Sequence, residues 1–477
     1  VSQDELFNLP QMEPVRKALL QKAKEFYETF VEQAADDPEL ETALASAHDR
    51  LGAILMDLAD YSAASIEFQK SSSIHAEFAQ SNPDAPRHAN NLARSLEELG
   101  KTRLSLGKPN EAIKAFNEAI EIRERLVNEH PLVADYVDDL AGLCADVAKT
   151  FVRLGKFNEV GAMIRKSVVL REHVVKEFPD VPKYAVGLAL SYHNFAGFLG
   201  SSGEVEDAVM VTRKSIVLLE RLLTKHPGNL RGRYLLAGEH MHLGLGLMTI
   251  GKKDESLDAC RKAIEFFERL DKEHPDVPRY ASGLGNTCIH LGDVLVRRGQ
   301  SNEAAVAFNR AVLIGEQLAK DHPDVLLFNA SRAFAGLSSI ASTSKDHAAA
   351  AKLGERLAQV KVPGEKSGLH AGNLYNAACI LSVASGAVAE DADLAKAKRT
   401  QLAEKYATRA MELLGDARNA GWFQEARRVS HLKDSDRDID PLRKRDDFKA
   451  FLRELEAKPD KPKKSMSFVR VTPHLAV

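Results

Sequence analysis

The most suggestive chemistry in the chain is a phosphate loop. Gly246-Leu-Met-Thr-Ile-Gly251-Lys252-Lys253 carries two glycines and a lysine at the spacing of a nucleotide-binding P-loop. There the backbone N–H groups cradle phosphates, the lysine reaches the terminal ones, and a following Ser or Thr holds Mg²⁺. Here that last position is Lys253, and the segment reads as helix running into a turn, whereas a P-loop follows a strand. Gly107-Lys108, Gly155-Lys156 and Gly251-Lys252 share one register. The glycine-lysine pair is therefore expected to be the turn of a repeat.

Histidines and cysteines could hold a metal. His130, His226, His274 and His322 each precede a periodic proline, which strings them along the chain instead of converging them; a role at a helix C-terminus, where partly positive groups suit the dipole, is expected. His240 and His242 are two apart on a helix and face different directions. Cys144, Cys260, Cys288 and Cys379 are too scattered for a disulfide framework or a Cys-x-x-Cys site. No nucleophile–base pair stands out, so no catalytic residue, cofactor or metal is assigned.

The composition points the same way. The 477 residues are 44% hydrophobic, 28% charged and 6% aromatic, which suits a chain rich in surface helix. The formal net charge of −3 gives no whole-chain field for nucleic acid. No apolar run approaches the roughly 18 residues a membrane helix needs, and residues 1–5 lack the features of a secretory signal. A reducing, cytoplasmic setting is expected. The missing initiator Met is read as the mark of a piece of a longer chain.

What must position these residues is a repeat. Pro83, Pro131, Pro179, Pro227, Pro275 and Pro323 follow one another at 48-residue steps. Leu44, Leu92, Leu140, Leu188, Leu236 and Leu284 keep that step, as do Ala45, Ala93, Ala141, Ala189, Ala237, Gly285 and Ala333. Within 84–131, Leu92, Leu96, Leu99, Arg103 and Leu106 form one helical face. Gly107-Lys108-Pro109 breaks it, and Ala112, Ile113, Phe116, Ala119, Ile120, Arg123 and Leu126 form a second face, stopped by Pro131. Each unit is predicted to be a helical hairpin.

Leu99-Gly100, Ala112, Phe116 and Ala119, repeated as Leu291-Gly292, Ala304, Phe308 and Ala311, resemble the tetratricopeptide signature. The usual unit is about 34 residues, so two turns of extra helix in each arm are expected. The predicted fold is all-α: a right-handed, TPR-like superhelical solenoid of long hairpins. The expected organisation is a helical lead-in at 1–39, six repeats at 40–323 and a degenerate repeat at 324–360, where Ser339 replaces a leucine. A linker at 361–370, a helical pair with cap at 371–456 and a disordered tail at 457–477 follow.

One column stays polar in every unit while its chemistry changes: Arg50, Glu98, Asp146, Asn194, His242, His290 and Ser338. The resemblance implies that first helices line a concave groove, so this column would face a protein or peptide partner. Asn91, Arg94, Lys101, Asp139, Lys149 and Asp293 flank it. Glu98 and Asp146 would repel the C-terminal carboxylate that some members of this fold clamp, so that ligand is not expected.

Three stretches resemble a narrower group: Val1-Ser-Gln-Asp-Glu-Leu with Pro14-Val-Arg-Lys-Ala-Leu-Leu, His274-Pro-Asp-Val-Pro-Arg-Tyr280, and Asp440-Pro-Leu-Arg with Asp447-Phe448. Asn376-Ala-Ala-Cys379 is similar to that group's last repeat. The group is the planctomycete-type bacterial serine/threonine protein kinases, whose C-terminal halves carry such repeats. The resemblance implies a kinase parent, often with a membrane helix before this region. The chain itself has no His-Arg-Asp loop, no Asp-Phe-Gly and no glycine-rich nucleotide loop, so kinase chemistry falls on none of its residues. An interaction scaffold is the leading expectation; a self-assembling homo-oligomeric module and an ATP-using enzyme are the alternatives.

Overall fold

In the computed structural model, residues 13–34, 40–321, 333–338, 346–360 and 368–456 are described, and among them every regular element is helical. The chain divides into two compact units, residues 1–242 and 243–474, with the boundary inside one helix. Expectations for residues 1–12, Pro323, His322, Ser339, most of the linker and the 457–477 tail lie outside the described residues.

The first unit begins with α1 (Glu13–Ala34), followed by hairpins α2 (Glu41–Asp57) with α3 (Tyr61–Ser81), α4 (Pro86–Ser105) with α5 (Pro109–Glu129), α6 (Ala134–Leu154) with α7 (Phe157–Glu177), and α8 (Pro182–Ser201) with α9 (Val205–Lys225). Helix α10 (Leu230–Thr249) crosses the boundary. From α4 to α10 the first helices start at residues 86, 134, 182 and 230. The arms run 20 or 21 residues, about 30 Å each.

Local chemistry sets these boundaries. Proline occupies the first turn of α4, α5 and α8, where its missing N–H costs nothing. Between the two arms the chain turns through a left-handed residue: Gly107 (φ +73°), Gly155 (φ +70°) and Gly203 (φ +87°). At the second hairpin Lys108 N–H donates to Arg103 O (2.9 Å) and Gly107 N–H to Leu104 O (3.1 Å), which satisfies carbonyls left open at the helix end. Ala59 holds the same place in the first hairpin, with φ +60° and the same pair of bonds to Leu55 and Met56.

Packing then follows a size rule. A Cβ on Gly100 would sit 2.5 Å from Phe116 Cε1, and one on Gly52 would sit 2.9 Å from Phe68. In the next hairpin the glycine is Ala148 and the ring is Ile164, buried in one cluster. Phe116 is completely buried among Ala93, Leu96, Ala112, Ala119, Leu143 and Val147, which come from α4, α5 and α6. One hairpin and the first helix of the next thus share a core, the arrangement that makes stacking obligatory. Burying one such ring contributes about 1.5–3 kcal/mol.

The second unit contains α11 (Lys253–Glu273), α12 (Pro278–Arg297) and α13 (Ser301–Asp321), turned by Gly251 (φ +80°) and Gly299 (φ +76°). Gly292 lies 2.5 Å, measured from an added Cβ, from the buried Phe308 ring. Beyond it are α14 (His347–Ala358), α15 (Gly368–Glu390), α16 (Lys396–Asn419), α17 (Ala426–Ser430) and α18 (Asp446–Glu456), with 3-10 and π turns between α16 and α18. Helix α15 starts at Gly368, so the last three residues expected to be linker are helical.

Candidate docking surface

The polar column of the first unit lies on the first helices, and its members are at least partly exposed. Lys101 on α4 is the centre. Its Nζ lies 2.7 Å from Glu97, 2.9 Å from Glu98 and 3.3 Å from Asp146 on α6. Lys149, one turn on, reaches Asp146 at 3.1 Å. Burial alone would weaken the Lys101 ammonium, but the three carboxylates more than reverse this and hold its pKa well above the ordinary lysine value. Four of the expected residues, Glu98, Lys101, Asp146 and Lys149, therefore form one ladder across two successive hairpins.

At the ladder's head Arg50 is exposed, and Arg94 Nη2 lies 3.5 Å from Asp49. Asn194 on α8 is half-buried, as is His242 on α10. In the second unit His290 and Asp293 on α12 are half-buried. Ser338 is 2% exposed and cannot present itself to a partner.

Beneath this strip runs a layer of buried charge that periodicity alone did not reveal. Arg123 on α5, 4% exposed, reaches Glu97 at 2.7 Å and Asp139 at 3.9 Å. Arg171 on α7 donates to Asp138 (2.7 Å), Gly187 O (2.9 Å) and Ser191 (3.0 Å). His75 on α3 holds the same register and lies 3.5 Å from Asp49. Asp49 also accepts from Ser71 and Ser95, each at 2.7 Å. Burial would raise its pKa, but His75 and the two hydroxyls outweigh that and leave it below the usual carboxylate value. In the second and third hairpins a cation on the second arm is thus satisfied by an acid on a first helix, and His75 stands at the same place in the first hairpin.

The other residues weighed for chemistry resolve into structure. His130, His226 and His274 cap second helices, and the His130 and His274 rings meet Tyr136 and Tyr280 edge-on, with centroids 6.0 and 6.2 Å apart. All four cysteines are buried; burial pushes the Cys144 and Cys288 thiols up to about 11 and Cys260 to about 12. Cys379 donates to Asp436 at 3.6 Å, beside Tyr375 on the same carboxylate. Residues 246–249 are the end of α10, Gly251-Lys252 lies in the turn, and Lys253 opens α11. Lys253 Nζ donates to Arg297 O (2.7 Å), Lys252 lies 3.3 Å from Glu255, and Arg298 pairs with Asp254, so the lysines are engaged beside carboxylates unsuited to phosphate.

One juxtaposition went unforeseen. His193 Nδ1 on α8 lies 3.2 Å from Glu239 Oε1 on α10, and the His193 and His242 rings are 4.7 Å apart at 57°. His193 and Glu239 are 46 residues apart in the sequence, on the first helices of successive hairpins.

The fold and the buried Leu-Gly-Ala-Phe-Ala set are similar to those of tetratricopeptide repeat proteins, which generally serve as protein-interaction scaffolds. The sequence profile of the tetratricopeptide repeat matches residues 93–125. No curated protein matches the chain. Among solved structures the chain is similar to BtubC from P. vanneervenii, at 17% identity and TM-score 0.43, over 54% of this chain and 92% of that one. It is also similar to a signal transduction ATPase with numerous domains, carrying a tetratricopeptide repeat sensor, from Pyrococcus horikoshii, at 12% identity and TM-score 0.45, over 83% and 54%. A Rap protein complexed with competence and sporulation factor gives 13% identity and TM-score 0.36, over 86% and 99%. No described helix is long and apolar enough to cross a membrane.

Proposed function

We propose that the chain is a non-catalytic scaffold that binds an extended peptide or partner helix along its first helices. The reading rests on the ladder at Lys101: a line of partly exposed charges, shared between successive hairpins, carried on a rigid stack. Charges so placed select a partner by complementarity of sign and register. Arg50 and Arg94 would take its acidic end, Glu98 and Asp146 its basic groups, and Asn194 and His242 its backbone. His290 and Asp293 are the corresponding candidates in the second unit. The test is a peptide-display selection on the whole chain. Selected peptides should lose at least about tenfold in affinity on Glu98→Lys with Asp146→Lys; peptides that bind the double variant equally well would refute the assignment.

The resemblance to planctomycete-type kinases supports a finer reading. On it, this segment is the C-terminal docking or regulatory region of a cytoplasmic serine/threonine kinase whose parent carries a membrane helix upstream. The coding sequence before Val1 tests this: an open frame encoding a kinase domain is expected, and a start codon directly ahead of Val1 would refute it. Self-association is the second reading, favoured by Val169 and Val217, matching second-arm positions that are 64% and 65% exposed. Mass measured by light scattering over a concentration series would rise if it holds and stay monomeric if it does not.

A further inference from the structure

We propose that His193, Glu239 and His242 form a binding site for a divalent transition metal of the zinc class, held between α8 and α10 in the first unit. One ligand atom from each of the three residues can be chosen so that all lie within 4.8 Å of one another. Donors around a tetrahedral ion with bonds of about 2.0–2.1 Å stand roughly 3.4 Å apart. The His193–Glu239 contact of 3.2 Å already meets that spacing, and the facing ring of His242 needs only a side-chain adjustment. Two imidazoles and one carboxylate are a borderline donor set that favours zinc, copper or cobalt over calcium or magnesium.

A second observation points to a cation independently of this clustering. Glu239 is 1% exposed, and its Oε2 has no hydrogen-bond partner while Oε1 faces His193. A carboxylate withdrawn from water with one oxygen unanswered is costly to bury. A divalent ion would answer that oxygen and neutralise the charge at once. The equivalent positions in the preceding hairpins are Ser95, Leu143 and Ser191, so Glu239 is not a requirement of the repeat. Three protein ligands leave a fourth position open, and His193 and His242 are partly exposed, so the ion would be reachable by a side chain of a bound partner. The site would then join the docking strip at His242, although metal binding itself does not depend on the strip's reading.

The experiment uses the whole chain, stripped with chelator and titrated with Zn²⁺ by calorimetry and with Co²⁺ by visible absorption. One equivalent should bind, with cobalt bands of tetrahedral intensity. Glu239→Gln and His242→Gln, shown to be folded by circular dichroism, should each weaken binding about 100-fold or more, above the usual cost of losing an outer-shell partner. His173→Gln, on the exposed side of α7, should leave it unchanged. Absence of saturable binding, or binding untouched by both variants, would overturn the site and leave an ion pair of His193 with Glu239. Loss of peptide docking with zinc binding intact would refute only the docking surface.

Discussion

Gly100→Ala adds a single methyl group where the hairpin has no room for one. The new Cβ would stand 2.5, 2.7 and 2.9 Å from three atoms of the Phe116 ring, whereas carbon atoms settle at about 3.5–4.0 Å. The ring must move by about 1 Å, yet it is wholly buried against Leu143 and Val147 of the next hairpin as well as its own. Overpacking of this kind costs typically 1–3 kcal/mol. Against it stands the helix preference of alanine over glycine, about 0.5–1 kcal/mol. The net expectation is a destabilisation of about 1–2 kcal/mol, read as a fall in urea midpoint with unchanged slope. The third hairpin suggests the remedy, because it pairs Ala148 with Ile164. Phe116→Ile alone should destabilise by leaving a void, but in combination with Gly100→Ala it should recover at least about 1 kcal/mol relative to additivity. Gly100→Ala at or above native stability, or a double variant that is simply additive, would refute the packing rule.

Other consequences follow from particular residues. Ala59→Gly should stabilise by about 1 kcal/mol, because Ala59 alone among the described hairpin turns takes a left-handed conformation without being glycine; thermal melting checks it. Arg123→Ala should cost about 1.5–3 kcal/mol, because Glu97 loses its buried partner and keeps only Lys101, whereas Arg123→Met with Glu97→Leu should cost less. Asp49 has a folded-state pKa below its unfolded one, so it contributes stability above about pH 4 that disappears as the pH falls through the lowered value. Asp49→Asn should therefore be less stable than the native chain at pH 7, with the gap closing in acid, as measured by denaturation between pH 2 and 7.

How far the sequence carried these conclusions differs between layers. The turn glycines, the proline-started arms and the Leu99-Gly100, Ala112, Phe116 and Ala119 set were legible because each obeys a short local rule. Ala59 escaped, since alanine is no turn signal until its neighbours fix its φ. The buried pairs escaped too: Arg123 reaches Glu97 and Arg171 reaches Asp138 along side chains whose direction periodicity does not give. His242 was read against His240 on its own helix, while its real neighbour, His193, lies one helix layer away and 49 residues back. The capping histidines were placed correctly at helix ends, but their contact with Tyr136 and Tyr280 required the backbone path through the proline loop.

The central claim is that partners lie along the first helices. Carbodiimide labelling of carboxylates, with and without a display-selected peptide bound, addresses it most directly. The account predicts that Glu98 and Asp146 become protected while Glu118 and Glu121, exposed or partly exposed on the opposite arm α5, keep their reactivity. Protection of α5 with Glu98 and Asp146 unchanged would contradict it.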